Sequence, residues 1–164
     1  MNIQSTTYNN TLILILSFFV ISTFFIYFQK PFKKRIWSVP IFIILFGCII
    51  WIIGNFFELI FIDTNVKIFF YSFQNLGIML IPVSWFIFSL LYSGYQKWAT
   101  LRNIIILAII PFTTTILIFT NKFHNLIVNH YEVLNYKSFF VLDKSFGIWQ
   151  VWVDLPYSIL LGIS

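Results

Sequence analysis

Two carboxylates, Glu58 and Asp154, lie inside long apolar runs of the sequence. A carboxylate within a membrane helix costs a few kcal/mol or more, so it normally faces protein or water and is a functional candidate by default. Such a group can hold a ligand or carry a proton or cation. These two residues are therefore the first candidates for chemistry in this chain.

Glu58 has two interpretations. Trp51, Gly54 and Glu58 are spaced three and four residues apart, which places them on one face of a helix. Glu58 either extends toward the outer membrane interface, about one turn from the helix end, or faces inward as part of a polar site.

Asp154 is expected deeper in its helix than Glu58, about two turns from the outer end, beside Trp152 and one turn before Tyr157. It either pairs with a neighbouring helix or lines a wet cavity, or else its helix begins later and leaves it at the interface. The short side chain makes the first arrangement the one to expect at that depth.

Asn121 and His124 follow the predicted fourth helix, at the same end as the two carboxylates. A single histidine at a helix end is more often a solvated or capping group than a ligand-binding one. Clustered polar groups are nevertheless what a pocket open to the outside requires. The predicted ligand-binding residues are Trp51, Glu58, Asn121, His124 and Asp154.

Catalytic and metal-binding patterns are missing from the sequence. It has no metal-ligand spacing, glycine-rich phosphate loop or nucleophile elbow. His124 and His130 are six residues apart and would not share a helix face. We expect no catalytic residue, metal site or cofactor in this segment.

The composition shows what surrounds these residues. The chain is 60% hydrophobic and 9% charged, whereas soluble domains have about 45–50% apolar and about 25% charged residues. The apolar residues form unbroken runs, unlike the alternating strands of a membrane barrel. The sequence therefore predicts an all-α, polytopic transmembrane helix bundle in contact with the lipid bilayer.

Five membrane spans are predicted. The first has about 18 residues and rises about 27 Å, close to the hydrocarbon thickness. Only the connection over residues 121–145 is long enough to hold structure of its own. The spans are residues 11–28, 36–62, 68–92, 104–120 and 146–163 of a single transmembrane region, 1–164.

The basic residues predict the orientation. Lys97 and Arg102 lie in the third connection, and four more basic residues crowd the first, so both connections are expected to be cytoplasmic and the N-terminus outside. The net charge of +5 forms no basic stripe, so we expect no nucleic-acid partner. The four residues of the first connection are Lys30, Lys33, Lys34 and Arg35.

Read in order, the sequence resembles the N-terminal seven-transmembrane region found before histidine kinases and some diguanylate cyclases. The match rests on the order and spacing of several short motifs across nearly the whole chain. These are Trp51, Gly54 and Glu58; Leu76 and Gly77; Pro82, Trp85, Phe88, Tyr92 and Gly94; Ile110 and Pro111; Thr120, Asn121 and His124; Gly147, Trp149 and Trp152; and Tyr157 and Ser158.

The resemblance implies seven helices, an outside N-terminus and a cytoplasmic signalling domain after the last helix. The chain is then expected to be a truncated sensor region in the plasma membrane, which passes an external or membrane stimulus to a missing output domain. A full-length protein of this kind would be a histidine kinase acting as a homodimer. A small-molecule ligand would reach it from the outer side.

Two other classes of function stay open at this point. Glu58 and Asp154 would carry protons or cations in a transporter or channel component. In a non-signalling membrane anchor, they would only hold the helices together.

Overall fold

The computed structural model describes residues 7–28, 36–136 and 139–163. Within them the chain forms five α-helices and one β-hairpin. A 3-10 turn, Asn121–Phe123, precedes the hairpin, and a π-helical turn, Gln150–Asp154, leads into the last helix. The elements are α1 (Thr7–Phe28), α2 (Ser38–Ile60), α3 (Thr64–Tyr92), α4 (Leu101–Phe119), β1 (Val128–Tyr136), β2 (Phe139–Phe146) and α5 (Leu155–Ile163).

Three of these helices, α2, α3 and α4, are long and apolar enough to cross a membrane, and two shorter apolar helices cover Thr11–Thr23 and Gln150–Ile163. Ile105, Ile109, Phe112 and Ile116 recur along α4 at helical spacing, and all four are exposed. Such a stripe fits contact with lipid tails. The predicted all-α transmembrane bundle is confirmed.

The helices α2 and α3 form the most extensive helix contact in the described chain. Glycines allow it: a Cβ added at Gly47 would lie 2.8 Å from the Gly77 carbonyl oxygen, and one at Gly54 would lie 2.8 Å from Gln74 Cα. Lipid tails are as apolar as leucine, so membrane helices associate largely through such close packing.

The β-hairpin occupies the connection that was expected to hold structure of its own. Its strands are antiparallel, with Glu132 opposite Asp143 and Leu134 opposite Val141. This element was not predicted. It packs on α3 and α4 through a buried cluster of Tyr71, Ile118, Ile127, Val128 and Leu142, so it forms a cap on one end of the bundle, here called the hairpin end.

Part of the predicted orientation falls on residues that the structure does not describe. Lys30, Lys33, Lys34 and Arg35 all lie in the gap between α1 and α2. Lys97 and Arg102 are described and exposed. Lys97 lies between α3 and α4, and Arg102 lies in the first turn of α4. Both are at the end of the bundle away from the hairpin.

The glycine contact gives a first prediction. Gly77→Ala should lower the free energy of unfolding by about 1–3 kcal/mol, because its Cβ would meet the α2 backbone, including Trp51 N at 2.8 Å. Gly162→Ala is the matched control, since an added Cβ there would meet no other element among the described residues within 4 Å. Unfolding of the purified chain in detergent measures both, and equal effects would contradict the packing argument.

Candidate functional site

Glu58 lies in the last turn of α2 and faces inward. It is buried, its Oε1 lies 2.8 Å from Lys144 Nζ on β2, and its Oε2 accepts a hydrogen bond from Gln74 Nε2 on α3. Of the two interpretations of this residue, the structure shows the inward one. One carboxylate thus joins α2, α3 and the hairpin.

Lys67, in the first turn of α3, reinforces the same junction. Its side chain is completely buried, and Nζ donates to the carbonyl oxygens of Glu58 at 2.7 Å and Phe140 at 2.8 Å. The Glu58 carbonyl belongs to the last turn of α2, where backbone oxygens lack partners within the helix. The single ammonium group of Lys67 therefore provides a hydrogen-bond donor for a carbonyl at the end of α2 and for a carbonyl of β2.

Lys144 completes a polar group that we call the ionic clamp: Glu58, Lys67, Gln74 and Lys144. Its Nζ also lies 4.0 Å from the centre of the Tyr71 ring, in a cation–π contact. The clamp holds two cations and one carboxylate. Neither lysine was among the predicted site residues, because both are in segments interpreted as connections.

Asn121 has a local role. It is buried, its Oδ1 accepts from the backbone nitrogens of Ile127 at 3.0 Å and Val128 at 3.1 Å, and its Nδ2 donates to Val128 O at 2.8 Å. These three hydrogen bonds stabilise the turn that leads from α4 into β1. Both ends of the Asn121 amide are therefore used in hydrogen bonds within the protein.

His124 closes the same turn. The Leu126 backbone N–H donates to Nδ1 at 3.1 Å, and Nε2 lies 3.1 Å from Thr120 Oγ1. Since Nδ1 accepts, Nε2 carries the ring proton and donates to the hydroxyl. This arrangement matches the capping role considered for a histidine at a helix end.

Trp51 lies elsewhere. Its side chain is 44% exposed and lines a shallow apolar groove of about 310 Å³ between α1 and α2, together with Leu12, Phe19 and Cys48. The sequence predicted that Trp51 would share one ligand pocket with Asn121. The structure instead places the two side chains in different cavities.

Asp154 pairs with a neighbouring helix. It is 3% exposed and lies at the end of the π-helical turn. Its Oδ2 accepts from Gln150 Nε2 at 2.8 Å, and Oδ1 lies 3.4 Å from Thr114 Oγ1 on α4. Trp149 Nε1 donates to the same threonine hydroxyl at 2.9 Å.

A cleft of about 450 Å³ opens between α3, α4 and the hairpin. Burial raises the pKa of Tyr131 to about 12, so its phenol keeps its proton at neutral pH. Of the predicted site residues, the cleft contains Asn121 alone. Its lining is Asn65, Ile68, Phe69, Ser72, Ile118, Phe119, Asn121, Lys122, Asn125 and Tyr131.

The five predicted residues therefore do not form one pocket. Glu58 belongs to the clamp, Asn121 and His124 build the turn before the hairpin, Asp154 pairs with α4, and Trp51 faces α1. Within the described ranges, no group of three or more histidine, cysteine or acidic side chains is placed to hold a metal ion.

These features define a polytopic membrane protein with buried polar groups at the capped end of its helices. The family described as the N-terminal 7TM region of histidine kinase matches residues 11–164. The chain belongs to this family, so the predicted resemblance is confirmed, and it is a membrane-embedded sensor input region. Neither a curated protein nor a solved structure gives a significant match.

The ion pair in the clamp gives a second prediction. Glu58→Gln should lower the free energy of unfolding by about 3 kcal/mol, because it leaves Lys144 beside Lys67 without a carboxylate. In a double-mutant cycle with Lys144→Gln, the two effects should be non-additive by about 1–3 kcal/mol.

The control cycle pairs Glu58→Gln with Lys122→Gln, which alters an exposed lysine. There the effects should add. Unfolding in detergent measures all variants, and additivity in the Glu58 and Lys144 cycle would show that the ion pair contributes nothing to stability.

Proposed function

We propose that this chain receives a stimulus at the hairpin end and relays it through the helices to a cytoplasmic output domain of the histidine kinase type. The observation that carries the proposal is the ionic clamp. It joins the hairpin to both members of the closely packed α2 and α3 pair through Glu58 and Lys67.

A clamp of this kind suits a two-state element. The polar contacts between the hairpin and the helices can be exchanged for contacts to a ligand. The glycine-lined contact between α2 and α3 could change only if the two helices moved apart. A stimulus that binds one arrangement of the cap better than the other shifts the population toward it. Small shifts of packed helices then pass the change along the bundle.

The cleft is the place where we propose that a small molecule binds. Its volume of about 450 Å³ lies within the range of about 300–1,000 Å³ that is usual for ligand sites. Tyr131 supplies a phenolic O–H, Lys122 a positive charge, and Phe69 an apolar wall. This combination favours a small, anionic or polar molecule with an apolar part.

We further propose that the hairpin end faces the outside of the plasma membrane, with the N-terminus on that side, and that the receptor acts as a homodimer. The basic residues support this orientation. Lys97 and Arg102 lie at the end opposite to the hairpin. Loops on the cytoplasmic side of membrane proteins are enriched in Lys and Arg.

Signalling gives a third prediction. In the full-length protein with its output domain, Glu58→Gln should change stimulus-dependent autophosphorylation at least severalfold, because it weakens the attachment of the hairpin to α2. Asp143→Asn is the matched control, since Asp143 is an exposed carboxylate next to Lys144 on β2.

Autophosphorylation in membrane vesicles is measured with the membrane level of each variant normalised. An unchanged response in Glu58→Gln would contradict the relay and leave an anchor. Cation or proton flux through vesicles that contain the purified chain, lost in the same variant, would instead indicate a transporter.

Orientation gives a fourth prediction. Cys48 is the single cysteine of the sequence, so a Cys48→Ala background permits labelling at chosen sites. Asp143→Cys should react with a membrane-impermeant maleimide in intact cells, whereas Lys97→Cys should react only after permeabilisation. The reverse pattern would place the hairpin in the cytoplasm.

A further inference from the structure

Asp154 is a buried carboxylate whose hydrogen-bond partners are neutral. The ion pair found in the described chain joins Lys144 to Glu58, and Asp154 instead contacts the Gln150 amide and the Thr114 hydroxyl. The titratable groups that interact with it from the packed elements are Tyr71 on α3 and Tyr157 on α5. A phenol carries no positive charge, and among the described residues no cationic side chain contacts the carboxylate.

Thr114 Oγ1 and Asp154 Oδ1 have the separation of two oxygens that share one cation. Thr114 Oγ1 and Asp154 Oδ1 are 3.4 Å apart, which is long for a hydrogen bond from a hydroxyl to a carboxylate, usually about 2.5–3.0 Å. Two oxygens that each lie about 2.4 Å from one ion, at right angles, are separated by about 3.4 Å.

A third oxygen belongs to the same group. Gln150 Oε1 is buried and has no hydrogen-bond donor within the described residues. The other end of the same amide, Nε2, donates to Asp154 Oδ2 at 2.8 Å, so the amide group as a whole lies next to the carboxylate. An unmatched buried acceptor is costly, and a cation would satisfy it.

The local backbone explains why these groups meet. Gln150 and Asp154 are the first and last residues of the π-helical turn, a feature that is frequent at functional sites. Trp149, just before the turn, donates to Thr114 Oγ1. This bond uses the indole N–H and holds the hydroxyl oxygen on α4 toward the turn.

We propose that Asp154, Thr114 and Gln150 bind a monovalent cation of the size of Na⁺. One carboxylate balances one positive charge, whereas a divalent ion would leave excess charge in a medium of low dielectric constant. The ion would link α4 to the turn that starts α5. The site stands on its own geometry and does not depend on the proposed signalling function.

The test is thermal unfolding of the purified chain in detergent at constant pH and ionic strength, with NaCl replacing choline chloride. We expect a saturable rise of a few degrees in Tm with Na⁺, because a ligand that binds only the folded state stabilises it. Asp154→Asn should abolish the rise. Asp143→Asn, an exposed carboxylate, should keep it.

Gln150→Met preserves side-chain length and removes one oxygen, so it should raise the Na⁺ concentration at half-saturation at least tenfold. If Asp154→Asn does not fold, Gln150→Met alone tests whether Na⁺ binds at this site. An unchanged half-saturation there, or an equal Tm rise in Asp154→Asn, would overturn the proposal. Stabilisation by acid alone, without any effect of Na⁺, would assign a proton to Asp154 and would also overturn it.

Discussion

The burial of charge at one end of the bundle is the constraint on which the rest of this structure depends. Hydrocarbon offers no hydrogen bonds, so each charged group near it must find partners within the protein. Lys67 meets this requirement with two backbone carbonyls, from Glu58 and Phe140, while Lys144 pairs with the Glu58 carboxylate. The position of the hairpin follows, because moving it would strip partners from both lysines.

The remaining contacts divide between close packing and polar bonds. Between α2 and α3, glycines such as Gly47 and Gly77 bring the backbones together, which compensates for the weak hydrophobic drive between helices in lipid. Between α4 and the start of α5, the contact rests on hydrogen bonds of Thr114 with Trp149 and Asp154. These two helix pairs of the described bundle are therefore held by different kinds of contact.

The sequence was sufficient for the features that hydrocarbon dictates. Unbroken apolar runs indicated the bundle, and the cost of a buried carboxylate singled out Glu58 and Asp154, both of which are buried. It was insufficient where partners are distant along the chain. Lys144 is 86 residues from Glu58, and no local pattern reveals that pairing. The hairpin was not predicted because its strands mix polar and apolar residues, and the segment was interpreted only by its length. Trp51 was grouped with Glu58 because helical spacing predicts which residues share a helix face, but it does not predict which neighbour each side chain contacts.

The hairpin also has a mechanical consequence. Strand β2 ends at Phe146, and only three residues separate it from the π-helical turn that leads into α5. Within these three residues, the backbone nitrogens of Gly147 and Trp149 donate to the carbonyls of Ile127 and Leu126. No slack separates the strand from the helix. Because β2 is also fixed to the helices through Lys67 and Lys144, a displacement of the hairpin that breaks these contacts would move the start of α5 with it.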